Sequence, residues 1–166
     1  MERFRDYCKK NCFNRKLQLL DLGLGVNASE IICEILNRHE NISKVNLLKN
    51  RLENDGACLL ADSLTKSTTI VSVSLKNNAI GRRGGHALIE CLRYNQSLVE
   101  FDIGSLDGLH RNKAGPIAME SLSEILRFNK TLTFLNVSGN SISNQGLEAI
   151  CRGLKENNTL LTLGIA

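Results

Sequence analysis

The chain has 166 residues, of which 42% are hydrophobic, 4% are aromatic and none is tryptophan. This composition is sufficient for one domain with a thin aliphatic core, and no run of about 18 apolar residues is present to span a bilayer. The formal net charge of +4 lies in residues 1–16, since the other 150 residues carry 15 charges of each sign. This uneven distribution argues against a basic stripe for nucleic acid along the body of the chain.

Residues 1–16 are predicted to form a basic helical leader, because Phe4, Tyr7, Cys8 and Cys12 recur at helical spacing. Two interpretations stay open: the leader is the helix half of a preceding repeat, or it is a cap on the first repeat. Its basic side chains are interpreted as a solvated helix face rather than a membrane or nucleic-acid contact. Cys8 and Cys12 could supply half of a metal site, but no further ligand lies nearby, so a structural role is favoured.

A nine-residue phrase then recurs over residues 17–166, and one copy reads Ile42-Ser-Lys-Val45-Asn-Leu47-Leu-Lys-Asn50. In a strand, alternate side chains face opposite sides, so Val45 and Leu47 are predicted to enter a shared core while Asn46 points out. The predicted copies begin at Leu17, Ile42, Ile70, Leu98, Leu132 and Leu160. Their spacing is regular except that the first interval is shorter and the fourth is longer.

Each phrase is followed by a predicted helix. In the third copy, apolar or small residues at Gly84, Ala87, Leu88, Cys91 and Leu92 share one helical face. The helices are expected to end near asparagines that adopt a left-handed cap conformation, namely Asn95, Asn129 and Asn157.

The asparagine that closes the phrase is predicted to be buried where the chain turns inward, and to bond backbone groups between stacked units. The predicted ladder consists of Asn50, Asn78, Asn112 and Asn140. Asn77, beside the ladder, is expected to be exposed.

The unit that begins at Leu98 carries six additional residues, 104–109, after which Asn112 recovers the ladder position and Pro116 opens the next helix. Two interpretations remain open. Insertions in repeat arrays often lie on the binding edge, and a surface insertion is also tolerated at little entropic cost.

With a strand and a full helix in each repeat, the phrase L-x-x-L-x-L-x-x-N over residues 17–166 resembles the ribonuclease-inhibitor-like subfamily of leucine-rich repeat proteins. That subfamily also includes the Ran GTPase-activating protein, tropomodulin repeat domains and the sensing ends of nucleotide-binding immune receptors. The resemblance implies an α/β fold, a right-handed βα solenoid of about five repeats plus a final strand. This horseshoe segment would have its parallel sheet on the concave face and its helices on the convex face.

The expected function is a protein-interaction module that binds a folded partner through the concave face and the adjacent strand-to-helix loops. The residues predicted to line this surface are Lys44, Asn46, Leu48, Ser72, Ser74, Lys76, Glu100, Asp102, His110, Arg111, Phe134 and Asn136. Leu48 and Phe134 are the expected exposed apolar anchors. The outward Lys and Ser side chains could also serve only as a solubilising surface.

No phosphate loop, paired metal ligands or Ser, His and Asp set at motif spacing is present, so no enzymatic activity and no cofactor are expected. The resemblance allows two alternative functions. One is regulation of a small GTPase at Arg111 and Asn112, as in the Ran activator, and the other is tropomodulin-like binding of actin filaments.

The cysteines are interpreted mainly as packed thiols, with Cys33 and Cys91 on a buried helix face, which favours a reducing, cytoplasmic compartment. From Leu160 a sixth strand begins without a helix behind it. Either the chain is a piece of a longer repeat protein, or a partner or second copy covers that end by self-association. The partner is expected to be a protein, with neither nucleic acid nor membrane involved.

Overall fold

The computed structural model describes residues 2–39, 41–105 and 108–166. Its helices are α1 (Glu2–Lys10), α2 (Gly25–Arg38), α3 (Glu53–Lys66), α4 (Arg82–Tyr94), α5 (Gly115–Phe128) and α6 (Asn144–Leu154). Its strands are β1 (Cys12–Phe13), β2 (Lys16–Gln18), β3 (Lys44–Asn46), β4 (Ser72–Ser74), β5 (Glu100–Asp102), β6 (Phe134–Asn136) and β7 (Thr162–Gly164). We call each strand from β2 onward, with the helix that follows it, a coil; coil 1 begins at β2, and coil 6 contains β7.

The seven strands form one sheet in sequence order. β1 pairs antiparallel with β2, and every later pair is parallel in an unchanged register, with Val45 beside Val73 and Phe101 beside Leu135. The predicted βα solenoid is therefore confirmed, with the sheet on its concave face and the helices on its convex face. Within the described parts of the chain, no helix combines the length and the apolar character needed to cross a bilayer.

The register of coil 1 differs from the prediction. Leu17 pairs with Val45, so Leu17 occupies the second apolar position of the phrase, and the copy begins at Asn14, one regular repeat before Ile42. The predicted start at Leu17 is wrong. It arose because Leu17, Leu20 and Leu22 match the L-x-x-L-x-L spacing of the phrase when the copy is started three residues too late. Burial separates the two frames, since Leu17 is fully buried while Leu20 and Leu22 are 43% and 42% exposed.

The leader is helical only as far as Lys10, and its second half is a hairpin rather than a helix. Asn14 and Arg15, with φ angles of 49° and 64°, make the two-residue turn between β1 and β2. Left-handed residues at both positions match the twist of a tight hairpin. Cys12 therefore lies in a strand and does not share a helix with Cys8. The division into a leader of residues 1–16 and a solenoid of residues 17–166 stays a prediction.

The core is a single aliphatic layer between the sheet and the helices. Two buried side chains from each strand segment of coils 1 to 5 enter it, for example Phe101 and Ile103 from coil 4, whereas Leu163 and Ile165 of coil 6 are only partly buried. Cys91 in α4 is also buried there, and desolvation raises the pKa of its thiol to about 12.

The four closing asparagines lie buried between coils and bond backbone groups of the neighbouring turn. Asn78 Nδ2 donates to the carbonyl oxygens of Leu47 at 2.7 Å and Lys76 at 3.0 Å, and its Oδ1 accepts from the Asn50 amide at 3.0 Å. Asn112 continues the series despite the insertion, because its Oδ1 accepts from the Asn78 amide at 2.9 Å. Asn50 and Asn140 bond their neighbouring coils in the same way.

A second set of asparagines, at the helix ends, also joins neighbouring coils. Asn95 and Asn129 are extended, with φ angles of −74° and −67°, so the predicted left-handed caps are wrong. Asn95 Nδ2 instead donates to the carbonyl oxygen of Leu64 in the preceding coil at 2.7 Å, while its Oδ1 accepts from the Leu98 amide at 2.7 Å. Asn157 bonds Leu126 and Leu160 in the same way. A side chain that satisfies backbone groups of two coils removes the need for a left-handed cap.

Left-handed backbone flanks the ladder in most of the turns. Ala79 follows Asn78 with a φ of 56°, a conformation that costs a residue with a Cβ about 1–2 kcal/mol. We expect Ala79→Gly to raise the free energy of unfolding by about 0.5–1 kcal/mol, measured by urea denaturation, after the entropy cost of glycine is subtracted. Ala87→Gly in the middle of α4 is the matched control and should lower it by about 1 kcal/mol. A loss of stability in both variants would contradict the strain at Ala79.

Candidate functional site: the concave face and its rim

Three side-chain positions in each coil face away from the helices and form three rows across the sheet. The first row contains Lys16, Lys44, Ser72, Glu100, Phe134 and Thr162. The second row contains Gln18, Asn46, Ser74, Asp102, Asn136 and Gly164. The third row lies two residues further along each coil and contains Leu20, Leu48, Lys76, Gly104, Ser138 and Ala166. The ten predicted strand residues all fall in these rows, and the corrected register adds Lys16, Gln18 and Leu20.

The early lysines and the middle acids of the rows are paired across the sheet. Lys76 Nζ lies 3.1 Å from an Asp102 carboxylate oxygen in the next strand. Lys44 Nζ reaches over Ser72 to Glu100 at 3.6 Å. These partly exposed pairs add little stability, but they place both signs of charge side by side in the centre of the face.

Three side chains of the second row also accept backbone hydrogen bonds just after their own strands. Asn46, Asp102 and Asn136 each accept, through Oδ1, the amide two residues later, at 3.2 Å, 3.0 Å and 3.0 Å. One oxygen of each side chain is therefore used within the coil. The Nδ2 donors of Asn46 and Asn136 face the open side of the sheet and can contact a partner.

The two predicted apolar anchors are only partly exposed. Leu48 and Phe134 are both half-buried, and Phe134 lies in register between Glu100 and Thr162. A half-buried aromatic ring is held in place before a partner arrives, so little side-chain entropy is lost on binding.

His110, which directly follows the insertion, contacts coils 2 and 3. The Ala79 amide donates to the His110 carbonyl oxygen at 2.9 Å, and Arg51 Nε donates to His110 Nε2 at 2.8 Å. Leu109, next to His110 in the same turn, is 95% exposed. The prediction of a loop at residues 104–109 includes Leu106 and Asp107, which lie outside the described residues. His110 therefore connects the strand-to-helix turns of coils 2, 3 and 4, which we call the rim.

His110 and Arg111, predicted as one polar cluster, point in different directions. His110 faces coil 2, whereas the exposed Arg111 guanidinium lies beside Gly139 of coil 5. Asn112 is 1% exposed and its amide is occupied by the ladder. Asn112 is therefore too buried to take part in the predicted GTPase contact. Of the two residues, only Arg111 is accessible. Arg51 belongs to the same rim, and no short-range sequence signal indicates its contact with His110.

Known proteins share this architecture. A family model described as Leucine Rich repeat matches residues 128–151. The chain is 32% identical to human (Homo sapiens) NACHT, LRR and PYD domains-containing protein 5 and 26% identical to mouse (Mus musculus) protein 14 of the same series, in each case over 86% of the chain. It is 21% identical to mouse ribonuclease inhibitor over 88% of the chain. The chain spans only 12%, 14% and 37% of the lengths of these relatives, respectively.

Two solved structures have a similar fold. The tropomodulin C-terminal domain of Caenorhabditis elegans gives a TM-score of 0.67 at 21% identity, with 83% of this chain and 82% of that chain covered. Leiomodin-1 Actin-Binding Site 2 gives 0.71 at 21% identity, with 81% and 76% covered. The repeated phrase, the parallel sheet and these similarities lead to one conclusion: the chain is a leucine-rich repeat protein of the ribonuclease-inhibitor-like type.

Proposed function

We propose that the chain is a protein-interaction module that holds a folded partner against its concave face and the adjacent rim. The observation that carries this proposal is the continuity of the two surfaces. The three rows present a mixed polar and apolar face, and His110, which follows the insertion, lies directly against the turns in which the rows of coils 2 and 3 end. Leucine-rich repeat domains commonly serve as interaction modules, and a fixed, curved sheet loses little conformational freedom on binding.

Within this surface, Phe134 supplies the apolar anchor and Arg111 supplies a rim charge. A partner that covers the Phe134 ring also desolvates the neighbouring Glu100, whose carboxylate has Lys44 at 3.6 Å. A further hydrogen-bond donor on the partner would help to offset this desolvation. Arg111, on the turn beside coil 5, remains near water in such a complex. Buried apolar anchors such as Phe134 mainly determine the dissociation rate of a complex. Rim charges such as Arg111 mainly affect the association rate and its salt dependence.

We expect Phe134→Ala to weaken binding of a partner by about 2 kcal/mol or more, and Arg111→Ala to weaken it less and in a salt-dependent way. His86→Ala, on the outer helix α4, should have almost no effect. The measurement is capture from cell extract by the immobilised chain, followed by titration of the recovered partner against each purified variant. If His86→Ala were damaging while both inner variants bound normally, the convex helices would be the binding surface.

Actin binding is a second candidate function, because one of the similar structures is described as an actin-binding site. That similarity, at 21% identity, concerns the fold, so the support comes from the shared solenoid alone. Elongation of fluorescently labelled actin filaments, with and without the chain, tests this directly. A concentration-dependent change in elongation rate that Phe134→Ala removes would support actin as the partner, and an unchanged rate would reject it.

A further inference from the structure

We propose that the N-terminal part of the concave face is a recognition site for an acidic segment of a protein partner. This inference rests on the proposed function and specifies which chemistry the partner must carry. The site, which we call the basic cup, is a shallow cavity of about 230 Å³ lined by Lys16, Gln18, Lys44, Asn46, Ser72 and Ser74, with Glu100 at its far side.

Two lysines stand side by side in the basic cup. Lys16 and Lys44 are register partners on neighbouring parallel strands, so their Cα atoms lie about 4.8 Å apart. Like charges at directly opposed positions destabilise a sheet. Among the described residues, Lys16 has no acidic side chain within ion-pair distance, and Lys44 has only Glu100 at 3.6 Å. An anion seated between the two ammonium groups would remove this repulsion.

The remaining lining supplies neutral hydrogen-bond donors. Asn46 uses its Oδ1 to accept the Leu48 amide at 3.2 Å, which leaves Nδ2 as the group that faces the cup. The Ser72 and Ser74 hydroxyls and the Gln18 amide lie on the same open face of the sheet. A carboxylate accepts several such bonds at once, and bonds to a charged acceptor are about twice as strong as neutral ones.

The extent of the basic cup selects a short acidic segment over a long polyanion. Glu100 lies three strands from Lys16, about 14 Å away at the usual strand spacing. Glu100 and its neighbour Asp102 would repel a nucleic-acid backbone that continued along the face, and nucleic-acid affinity depends on many phosphate contacts. A flat bilayer fits the concave side of a curved sheet poorly. A few Asp or Glu side chains on a protein fit both the charge and the size.

The leader adds exposed cations beside the basic cup. Residues 1–16 carry a net charge of +4, but residues 17–43 carry Asp21, Glu30, Glu34 and Glu40 against Arg38, so residues 1–43 together carry +1. Arg15, beside Lys16, is exposed, with its Nε bonded to the Asn41 carbonyl oxygen. Exposed cations next to the cup accelerate association with an acidic partner, and the effect falls with added salt.

The probe for the test is a synthetic peptide rich in Glu and Asp, with the same peptide carrying Gln and Asn as a neutral control. We expect the acidic peptide alone to bind, to shift the backbone amide resonances of residues 44–46 and 72–74, and to bind more weakly at higher salt. Lys16→Ala combined with Lys44→Ala should reduce the affinity at least about fivefold. Lys130→Ala, an exposed lysine between α5 and β6, is the matched control and should leave the affinity unchanged.

Lys16→Glu provides a second, independent readout. It replaces the like-charge pair with an ion pair to Lys44, so it should slightly raise the melting temperature while it removes peptide binding. A lower melting temperature together with unchanged binding would overturn the inference. Equal binding of the neutral peptide, or an equal loss in Lys130→Ala, would do the same.

Two further arms separate this inference from its rivals and from the proposed function. Tighter binding to phosphatidylserine vesicles or to single-stranded RNA than to the acidic peptide would overturn the assignment to a protein segment. If the peptide failed to bind while Phe134→Ala still abolished capture of the cellular partner, the acidic-segment inference would fail and the proposed function would stand. If the peptide bound the cup and Phe134→Ala had no effect on capture, the proposed placement of the partner over Phe134 would fail instead.

Discussion

Phe101→Ala should lower the free energy of unfolding by about 3–5 kcal/mol, the usual cost of removing a large buried ring. Phe101 is fully buried and is among the largest side chains in the core. It lies in the central row of the sheet side of the core, between Val73 and Leu135. The layer is thin and held at both edges by asparagines, so it cannot collapse to fill the space. The change is read from the urea midpoint and slope of the purified variant.

Phe128→Ala is the matched control for this measurement. Phe128, at the end of α5, is 71% exposed, so loss of its ring should change the free energy of unfolding by no more than about 0.5 kcal/mol. Phe101→Leu should fall between the two, because it keeps most of the buried volume. Equal stabilities for Phe101→Ala and Phe128→Ala would show that the core is not packed as described.

Asn78→Leu should lower the free energy of unfolding by about 2–4 kcal/mol, because it removes several ladder bonds at once. The Leu47 and Lys76 carbonyl oxygens and the Asn50 amide would lose their partner inside the stack. Each unpaired buried group costs about 1–3 kcal/mol, and leucine returns part of this through its apolar surface. Urea denaturation, with hydrogen exchange at the Asn50 amide, measures both consequences.

The control for the ladder must be an exposed asparagine. Asn77 is unsuitable, since it is 2% exposed in the structure, contrary to the expectation from sequence. Asn37, in α2, is exposed, and leucine there also has the better helix propensity. Asn37→Leu should therefore be neutral within about 0.5 kcal/mol. Similar urea midpoints for Asn37→Leu and Asn78→Leu would reject the structural role of the ladder.

Much of the fold could be predicted from residue spacing, because a strand and a helix impose different periods on buried positions. The even spacing of Ile42, Ile70 and Leu98 sets the register of coils 2 to 4. The predicted first copy is misplaced by three residues, starting at Leu17 instead of Asn14, because leucines occupy apolar positions in both frames. The ladder gives no help there, since the position one regular repeat before Asn50 falls on Leu22, which cannot bond backbone groups through its side chain. Without an asparagine at position 22, the sequence offers no second marker for the register of the first copy.

The helix-end asparagines show a different limit. Local preference indicates a left-handed cap at Asn95, but the residue instead bonds Leu64 in the preceding coil. Ser97, two residues after Asn95, takes part in the same contact, because its hydroxyl also donates to the Ser67 carbonyl oxygen in the preceding coil. Bonds between coils depend on stacking distance, which the sequence pattern of one coil does not contain.

The concave rows could be predicted from alternation, whereas their electrostatics could not. Lys44 pairs with Glu100 across an intervening strand, which requires two flexible side chains to lean over Ser72. The rim likewise depends on a contact between residues far apart in the chain, Arg51 and His110. Neither has a periodic signature. The partner-binding residues therefore remain a prediction.

Two of these contacts skip a coil and link coil 2 directly to coil 4. Neighbouring coils in a horseshoe can hinge slightly, and the overall arc opens or closes as the sum of those small rotations. Lys44 with Glu100 on the inner side, and Arg51 with His110 on the rim, both brace coil 2 against coil 4. Rotation of coil 3 against either neighbour would stretch both braces. Because both contacts are exposed, each adds little free energy, so they favour one curvature over coils 2 to 4 without fixing it. We expect a bound partner to change the curvature of the outer coils more readily than that of coils 2 to 4.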